Sequence, residues 1–381
     1  MVILFIIDKM KNFAGIERIL TCKMNYIVGH TSHKVFITTY EQQSQSLPFP
    51  LEANIIYRPL EIMMPQRNKV TLLQWIKSYF ETRRCFRNQF KSLLKDIQPD
   101  IVVATVYSYQ IIDIIINTCY GKGIKTVMES HTKGETVLLS PKFKYNQYLF
   151  KIISLWDGYI LRSLRLCNCL VTLTKQDIPF WQKYAKRIEA IPNMLTITPQ
   201  KVIDYESKRV MSAGRYKSEK GFDMLLEAWH LLPEEFCDWH LYIFGNGDRS
   251  LYQNIVNKYN MRDTVHLMPA TDNIAEEFSK SSLYVMSSRY EGFGLVLAEA
   301  MSCGLPCVSF DCPYGPREII KDTEDGLLAK SEDVEDFVHK IVSLMSDAKL
   351  RHKMGEQAIK NIARYEPHRI MNQWINLFET L

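Results

Sequence analysis

The stretch Ser288-Arg-Tyr-Glu-Gly-Phe-Gly-Leu-Val-Leu-Ala-Glu-Ala-Met-Ser-Cys-Gly-Leu-Pro-Cys-Val-Ser-Phe310 constrains this chain more than any other. It reads as loop, helix, tight stop and strand. Gly292 and Gly294 let backbone approach a ligand with no Cβ in the way. Good helix formers run from Leu295 to Ser302, Gly304 and Pro306 end the run, and Pro306–Phe310 follows as a short apolar strand. A loop feeding a helix in this way aims unpaired N–H groups and the positive end of the helix dipole outward, usually at a phosphate. Glu291 and Glu299 flank that helix start. Carboxylates beside a phosphate are costly unless they hold hydroxyls, so the pair points to a sugar on one side and a ribose on the other.

The rest of the chain supplies a frame for such a site. At 381 residues it is too long for one ordinary core, and two α/β domains are expected. Apolar Val2–Ile7 reads as a first strand, a helix starts at Gly15, and Lys34–Tyr40 is the next strand, the opening of a doubly wound domain. Further strands are expected at Ile101–Thr105, Lys125–Glu129 and Leu170–Thr174, with Lys175-Gln-Asp177 capping a helix. Residues 194–208 read as an irregular connector. The alternation then repeats: strand Arg209–Ala213, helix 221–231, strand His240–Phe244, helix 250–258, strand 264–268, helix 273–280 and strand Leu283–Ser287. Helices are expected at 333–347, at 350–364, and from Pro367 to the end.

Charge divides unevenly. Residues 1–200 carry 26 Lys and Arg against 14 Asp and Glu, a balance of +12, whereas residues 201–381 sum to −7. The first half is therefore expected to face an anionic surface; nucleic acid and membrane both fit this alone. Residues 69–95 alternate apolar positions (Leu72, Leu73, Trp75, Ile76, Phe80, Phe86, Phe90, Leu93, Leu94) with Lys69, Lys77, Arg83, Arg84, Arg87, Lys91 and Lys95. This reads as a basic amphipathic helix, either packed on the core with a solvated basic face or lying on a membrane, and the two are compatible. No run of about 20 apolar residues would span a bilayer. The first strand lacks the basic flank and cleavage site of a signal peptide. The nine cysteines form no paired C-x-x-C motif, so reduced thiols, a cytoplasmic setting and no metal centre are expected.

Ser212-Ala-Gly-Arg-Tyr-Lys-Ser-Glu-Lys-Gly221 ends the second domain's first strand. Gly214 frees the turn, and Arg215 and Lys220 can both reach an anion at the carboxyl edge, where open α/β sheets bind ligands. A fork and a point charge suit a diphosphate; the plainer reading is two surface cations. Phe244-Gly-Asn-Gly-Asp-Arg-Ser250 offers a G-x-G after a strand, but its third position is Ser250 and its strand is not the first of the domain, so a nicotinamide site is not expected. Asp311–Glu318 is a turn-rich loop, and Arg317 or Glu318 could line the same pocket.

Together, the Gly-Arg…Lys-Gly element and Glu-Gly-Phe-Gly-Leu-Val-Leu-Ala-Glu, with Ala-Met-Ser-Cys-Gly-Leu-Pro-Cys-Val after it, resemble glycosyltransferase family 4. Leu173–Asp177, Ile191-Pro-Asn193, Gly326-Leu-Leu328 and, more weakly, Gly15–Arg18 extend the likeness. It implies the GT-B fold, two Rossmann-like α/β domains with a cleft between them: residues 1–194 for acceptor, 205–364 for nucleotide-sugar donor, and 365–381 as a helix returning to the first domain. It implies a retaining hexosyltransferase for a nucleotide sugar, with UDP preferred. Arg215 and Lys220 would hold the diphosphate, Glu291 the transferred sugar, and Glu299 both ribose hydroxyls. Phe293, Gly294 and Leu295 would offer backbone N–H groups beside Gly292, and Gly245 would form a turn at the donor. Gly15 would approach the phosphate from the first domain, where Ala14-Gly15 replaces the usual double glycine. His131 would stand near the reacting sugar, although a lone histidine could equally bond local backbone. No cofactor or metal is implied. Expected partners are the donor and a glycan or polyprenyl-diphosphate-linked acceptor of bacterial surface polysaccharide synthesis at the inner membrane face, with no nucleic acid. Two alternatives are a 2-epimerase-like isomerase, which would need further acid/base groups, and a non-catalytic nucleotide-sugar binder, which would not need the intact cations and carboxylates.

Overall fold

The computed structural model describes residues 1–10, 15–42, 47–60, 62, 72–106, 111–135, 158–199 and 202–381. It divides into two compact units, Met1–Pro192 with His368–Leu381, and Asn193–Pro367.

The first unit is built on a seven-stranded parallel sheet of order β3-β2-β1-β4-β5-β6-β7. Its strands are β1 (Val2–Ile7), β2 (Lys34–Thr39), β3 (Ile56–Tyr57), β4 (Ile101–Thr105), β5 (Lys125–Ser130), β6 (Cys169–Thr172) and β7 (Ile188–Ala190). β4 and β6 are buried throughout, as strands covered on both faces must be. Helices α1 (Gly15–His30), α2 (Leu72–Ile97) and α3 (Ile112–Tyr120) follow β1, β3 and β4. Phe86, Phe90, Leu93 and Leu94 of α2 recur at one helical face and enter the core. Lys77, Arg84, Arg87, Lys91 and Lys95 are exposed on its other faces, with Phe80 52% exposed beside them. Arg83 is a correction to the basic face: it is buried, and its Nη2 donates to Asp113 Oδ2 of α3 at 2.6 Å. Lys69 and the side chains of Leu72 and Leu73 lie outside the described residues.

Asp177 also departs from expectation. It stands at the start of the short helix Ile178–Trp181 but caps nothing with its side chain. Its two oxygens accept instead from the Gly134 N–H at 3.0 Å and the Trp181 indole N–H at 2.8 Å, tying the segment after β5 to the segment after β6.

The second unit repeats the plan with a six-stranded parallel sheet, β10-β9-β8-β11-β12-β13. Its strands are β8 (Arg209–Ala213), β9 (His240–Phe244), β10 (Val265–Met268), β11 (Leu283–Met286), β12 (Cys307–Phe310) and β13 (Leu327–Ala329). Its longer helices are α4 (Phe222–His230), α5 (Ser250–Lys258), α6 (Leu295–Ser302), α7 (Val334–Met345) and α8 (Ala348–Ile362). The connector 194–208 forms no helix or strand where described, yet it is anchored. Tyr205 donates its hydroxyl to Gly304 O at 2.9 Å, and buried Arg351 forks onto Tyr205 O while its Nη1 donates to Leu344 O and Met345 O at the end of α7. One guanidinium thus satisfies two orphan helix-end carbonyls. The last helix, α9 (Pro367–Glu379), buries Ile370, Met371, Trp374, Leu377 and Phe378 and belongs to the first unit from His368 onward.

Candidate active site

In the second sheet the strand order reverses at the neighbouring pair β8 and β11. Their carboxyl ends, Ala213 and Met286, run directly into the two segments that carry the site, Gly214–Gly221 and Ser287–Gly294. This is the switch point at which doubly wound sheets bind ligands.

Several bonds hold the two segments in register. Arg289 N donates to Glu219 O at 2.9 Å, Arg289 Nη1 to Ser218 O at 2.7 Å, and Ser287 Oγ to Lys220 O at 2.9 Å. Arg289 also forks onto Asp223 at 2.9 and 2.7 Å, which holds that carboxyl below its ordinary range. Gly221 has φ +60°, and a Cβ there would stand 2.0 Å from Ser287 O. Only glycine allows both that dihedral and that approach.

Lys220 and Glu291 meet as a result. Lys220 Nζ donates to Glu291 Oε1 at 2.7 Å, and Ser288 Oγ donates to the same oxygen at 2.6 Å. The Lys220 stem passes over Gly214, where an added Cβ would come within 3.1 Å of it. Arg215 is placed differently. It is largely exposed and its Nη2 donates to Glu219 Oε1 at 2.9 Å, an i,i+4 surface pair.

Behind Glu291, Gly294 takes φ +93° and begins α6 with no side chain to cap the first turn. Phe293 turns its ring inward, edge-on to Tyr365 at 5.2 Å, and is buried. Leu295 is half-buried. Gly315 packs on this backbone, since a Cβ there would lie 2.2 Å from Phe293 O. In the same loop Arg317 pairs with Asp311, and the backbone oxygen of Glu318 accepts from Tyr365.

Glu299 is 0% exposed, and its Oε1 accepts from Thr196 Oγ1 at 2.5 Å. Thr196 lies in the connector and belongs to no motif. Gly245 stands where the turn after β9 touches the turn after β8: a Cβ would lie 1.9 Å from Gly214 O. Gly247 has φ +121° in the same turn, and Asp248 Oδ1 accepts from Ser250 N and Oγ.

His131 and Gly15 belong to the first unit. Gly15 is exposed at the first position of α1; Ala14 lies outside the described residues. His131 follows β5 and is buried, with Nε2 2.9 Å from Glu129 Oε2. Lys23 Nζ of α1 reaches the same carboxylate oxygen at 2.7 Å and sits 3.5 Å above the Trp374 ring. Burial alone would raise the Glu129 pKa, but Lys23 and His131 outweigh it and bring it down to about 2. His131 is therefore not a lone loop histidine. Among the described residues no cluster of three or more His, Cys, Asp or Glu forms a potential metal cage, and no helix is long and apolar enough to cross a membrane.

Residues 194–361 match the family model described as Glycosyl transferases group 1. An uncharacterized glycosyltransferase of Haemophilus influenzae is 26% identical over 302 residues, 78% of this chain and 80% of that protein. The amylovoran biosynthesis glycosyltransferase AmsD of Erwinia amylovora is 23% identical over 391 residues, 98% of each. Longer proteins are matched only in part: the chain spans 23% of an exopolysaccharide phosphotransferase of Streptomyces coelicolor. Among solved structures, Anabaena HepE in complex with UDP and glucose superposes over 100% of both chains with a TM-score of 0.71 at 15% identity, a likeness of fold. The chain is a glycosyltransferase of GT-B fold, and residues 194–361 are the part that is similar to glycosyl transferases group 1.

Proposed function

We propose that the chain is a retaining, family 4-type hexosyltransferase that takes its sugar from a UDP-sugar. The observation that carries this is the Lys220–Glu291 pair at 2.7 Å, set at the sheet's switch point beside the open first turn of α6. A diphosphate arriving there offers Lys220 a stronger partner than one carboxylate oxygen, and the helix N-terminus adds unpaired N–H donors. Glu291, released from Lys220, keeps Ser288 as a donor and has acceptor capacity for sugar hydroxyls. Glu299, preset by Thr196, is the residue for the ribose. Arg215, swinging from Glu219, adds a second cation to the leaving phosphate.

Transfer then needs no carboxylate nucleophile. The bond from the anomeric carbon to the phosphate oxygen breaks as the acceptor hydroxyl bonds to that carbon on the same face. The acceptor's proton passes to the departing oxygen, and Lys220, Arg215 and the helix end carry the charge, with no metal or cofactor required. The first unit would take the acceptor, a glycan or polyprenyl-diphosphate-linked glycan of bacterial surface polysaccharide synthesis. The +12 balance of residues 1–200 and the exposed basic side chains of α2 support peripheral attachment to an anionic inner leaflet.

A thermal-shift screen over UDP, GDP, ADP and their sugars tests the donor. At a hundredfold excess over Kd the right nucleotide stabilises the fold by about 2.7 kcal/mol. Preference for GDP or ADP would overturn the UDP assignment, and product analysis showing the inverted anomer would overturn retention. Flotation with anionic liposomes tests the membrane reading, which fails if the protein stays at the bottom of the gradient.

A further inference from the structure

The segment after α8 packs on the turn that carries Glu291. Tyr365 ends the 3-10 turn Ala363–Tyr365 and is buried. Its hydroxyl donates to Glu318 O at 2.7 Å, and its ring stands edge-on to the Phe293 ring with centroids 5.2 Å apart. Its own carbonyl accepts from Leu195 N at 2.9 Å, one residue before the threonine that donates to Glu299. Arg364 reinforces the link: its Nη2 donates to Glu318 O at 3.1 Å and to Ile319 O at 2.6 Å, and its guanidinium lies 4.7 Å from the Tyr365 ring centroid.

These contacts converge on one peptide. Glu318 and Ile319 end the short helix Pro316–Ile319, which starts after Gly315 at φ +107°. Gly315 packs directly on Phe293 O, where an added Cβ would stand 2.2 Å away, and Pro313 O of the same loop accepts from Glu291 N at 3.3 Å. Tyr365 thus holds Phe293 twice, by its ring directly and by its hydroxyl through the helix that follows Gly315. The Phe293–Gly294 peptide is trans and planar, so its C=O and N–H point in opposite directions. With the oxygen fixed against Gly315, the Gly294 N–H is aimed away from that loop at the head of α6, whose first turn no side chain caps.

We propose that Tyr365 is a positioning residue for nucleotide-sugar binding: it fixes the Phe293–Gly294 peptide so that the Gly294 N–H meets an oxygen of the diphosphate. Any aromatic would fill the space beside Phe293. The hydroxyl adds the tie to the Gly315 loop, and a buried phenol needs such a partner.

This proposal rests on the glycosyl-transfer reading, and its first measurement needs no turnover. Phe244–Gly245 and Phe293–Gly294 are the two Phe-Gly pairs of the sequence. Protein labelled with carbonyl carbon-13 phenylalanine and nitrogen-15 glycine therefore gives two selected amide signals, and the one kept in Phe244→Tyr belongs to Gly294. In the free protein Tyr365→Leu should displace the Gly294 signal and leave Gly245 nearly in place. A Gly294 signal that stays put, or an equal displacement of both, overturns the proposal. On saturation with UDP the wild-type Gly294 proton should move downfield, and in Tyr365→Leu by less than half as much. No movement in wild-type protein that binds UDP, or an undiminished movement in the variant, also overturns it. If Tyr365→Leu does not fold, Tyr365→Phe keeps the ring, deletes only the hydroxyl and is read in the same way.

The second measurement is kinetic, using UDP release from UDP-glucose, UDP-galactose and UDP-N-acetylglucosamine. Tyr365→Leu and Gly315→Ala disturb the same peptide from two sides, and each should lower kcat/KM about 10- to 100-fold, as a small misplacement at a reacting site does. Their double variant should lose little more than the worse single one. Losses that multiply mean independent packing effects and overturn the proposal. Wild-type protein that neither binds UDP nor releases it from these sugars defeats the glycosyl-transfer reading instead, and the free-protein signals still decide whether Tyr365 holds the peptide.

Discussion

Lys220 Nζ and Glu291 Oε1 stand 2.7 Å apart although 71 residues separate them in sequence. The two groups assigned to opposite ends of the donor, diphosphate and sugar, neutralise each other before any ligand arrives. Their segments are held together by backbone and side-chain bonds from Ser287 and Arg289, not by the pair itself.

Removing the cation should therefore cost activity and little stability. Lys220→Ala is expected to lower kcat/KM for the nucleotide sugar by about 10²–10³, the loss seen when a donor to developing charge is deleted. The pair is partly exposed and Glu291 retains Ser288, so unfolding free energy should fall by about 1 kcal/mol or less. UDP release and urea unfolding measured on the same preparation check both. Near-full activity in the variant would remove Lys220 from the site.

Thr196 and Glu299 make a second measurable link. Thr196→Val deletes the hydroxyl that donates to Glu299 Oε1 and keeps the shape of the side chain. A lost hydrogen bond of this kind is worth about 0.5–1.5 kcal/mol, so KM for the nucleotide sugar should rise about two- to tenfold, with kcat held. Isothermal titration with UDP should show the same factor. An unchanged Kd would detach Glu299 from ribose binding.

These two pairs show what could and could not be read from the chain. The motif from Glu291 to Phe310 was legible because its glycines, helix formers and Gly304-Leu-Pro306 stop are local signals that agree with one another. Strands β1, β4, β5 and β8 to β12 were legible as apolar runs. The three-residue β7 and β13 and two-residue β3 were not, being too short to show a period. Nor was α3, whose Ile112-Asp-Ile-Ile-Ile run suits a buried strand as well as a buried helix. Thr196, Arg289 and Asp223 were missed because a hydrogen bond across 66 to 103 residues leaves no pattern in sequence, and Ser288 because a serine three residues before a glutamate is no signal by itself. Arg83 and Asp177 look like surface and cap residues by spacing, and only packing shows one paired with Asp113 and the other bonded to Trp181.

Glycine substitutions should have opposite signs at two positions. Gly245→Ala places a methyl 1.9 Å from Gly214 O, a backbone atom that cannot step aside. The turn must shift, and a cost of about 1–3 kcal/mol is expected for such overpacking, together with reduced activity because Gly214 underlies the Lys220 stem. Gly29 lies in the last turn of α1 with nothing within 4 Å of an added Cβ. Gly29→Ala should be neutral or stabilising by about 0.5–1 kcal/mol. Thermal melts of the two variants decide, and a tolerated Gly245→Ala would refute the close approach of the two turns.

The buried Glu129 makes stability depend on acid in a defined window. Lys23 and His131 hold its carboxyl down at about 2, against an ordinary value of 4.5. The unfolded chain therefore binds a proton that the folded chain refuses between those values. Stability from this group is fully present above about pH 4.5 and is lost progressively as pH falls toward about 2, a total on the order of 3 kcal/mol. Burial pulls the Lys23 pKa down from 10.5, against the opposing pull of Glu129. Urea unfolding at intervals from pH 6 to pH 3 should show the decline in the wild type. The Lys23→Met/Glu129→Gln variant, which removes both charges together, should show a shallower one. If the two slopes coincide, the acid sensitivity arises elsewhere and Glu129 is not held in its charged form by its buried neighbours.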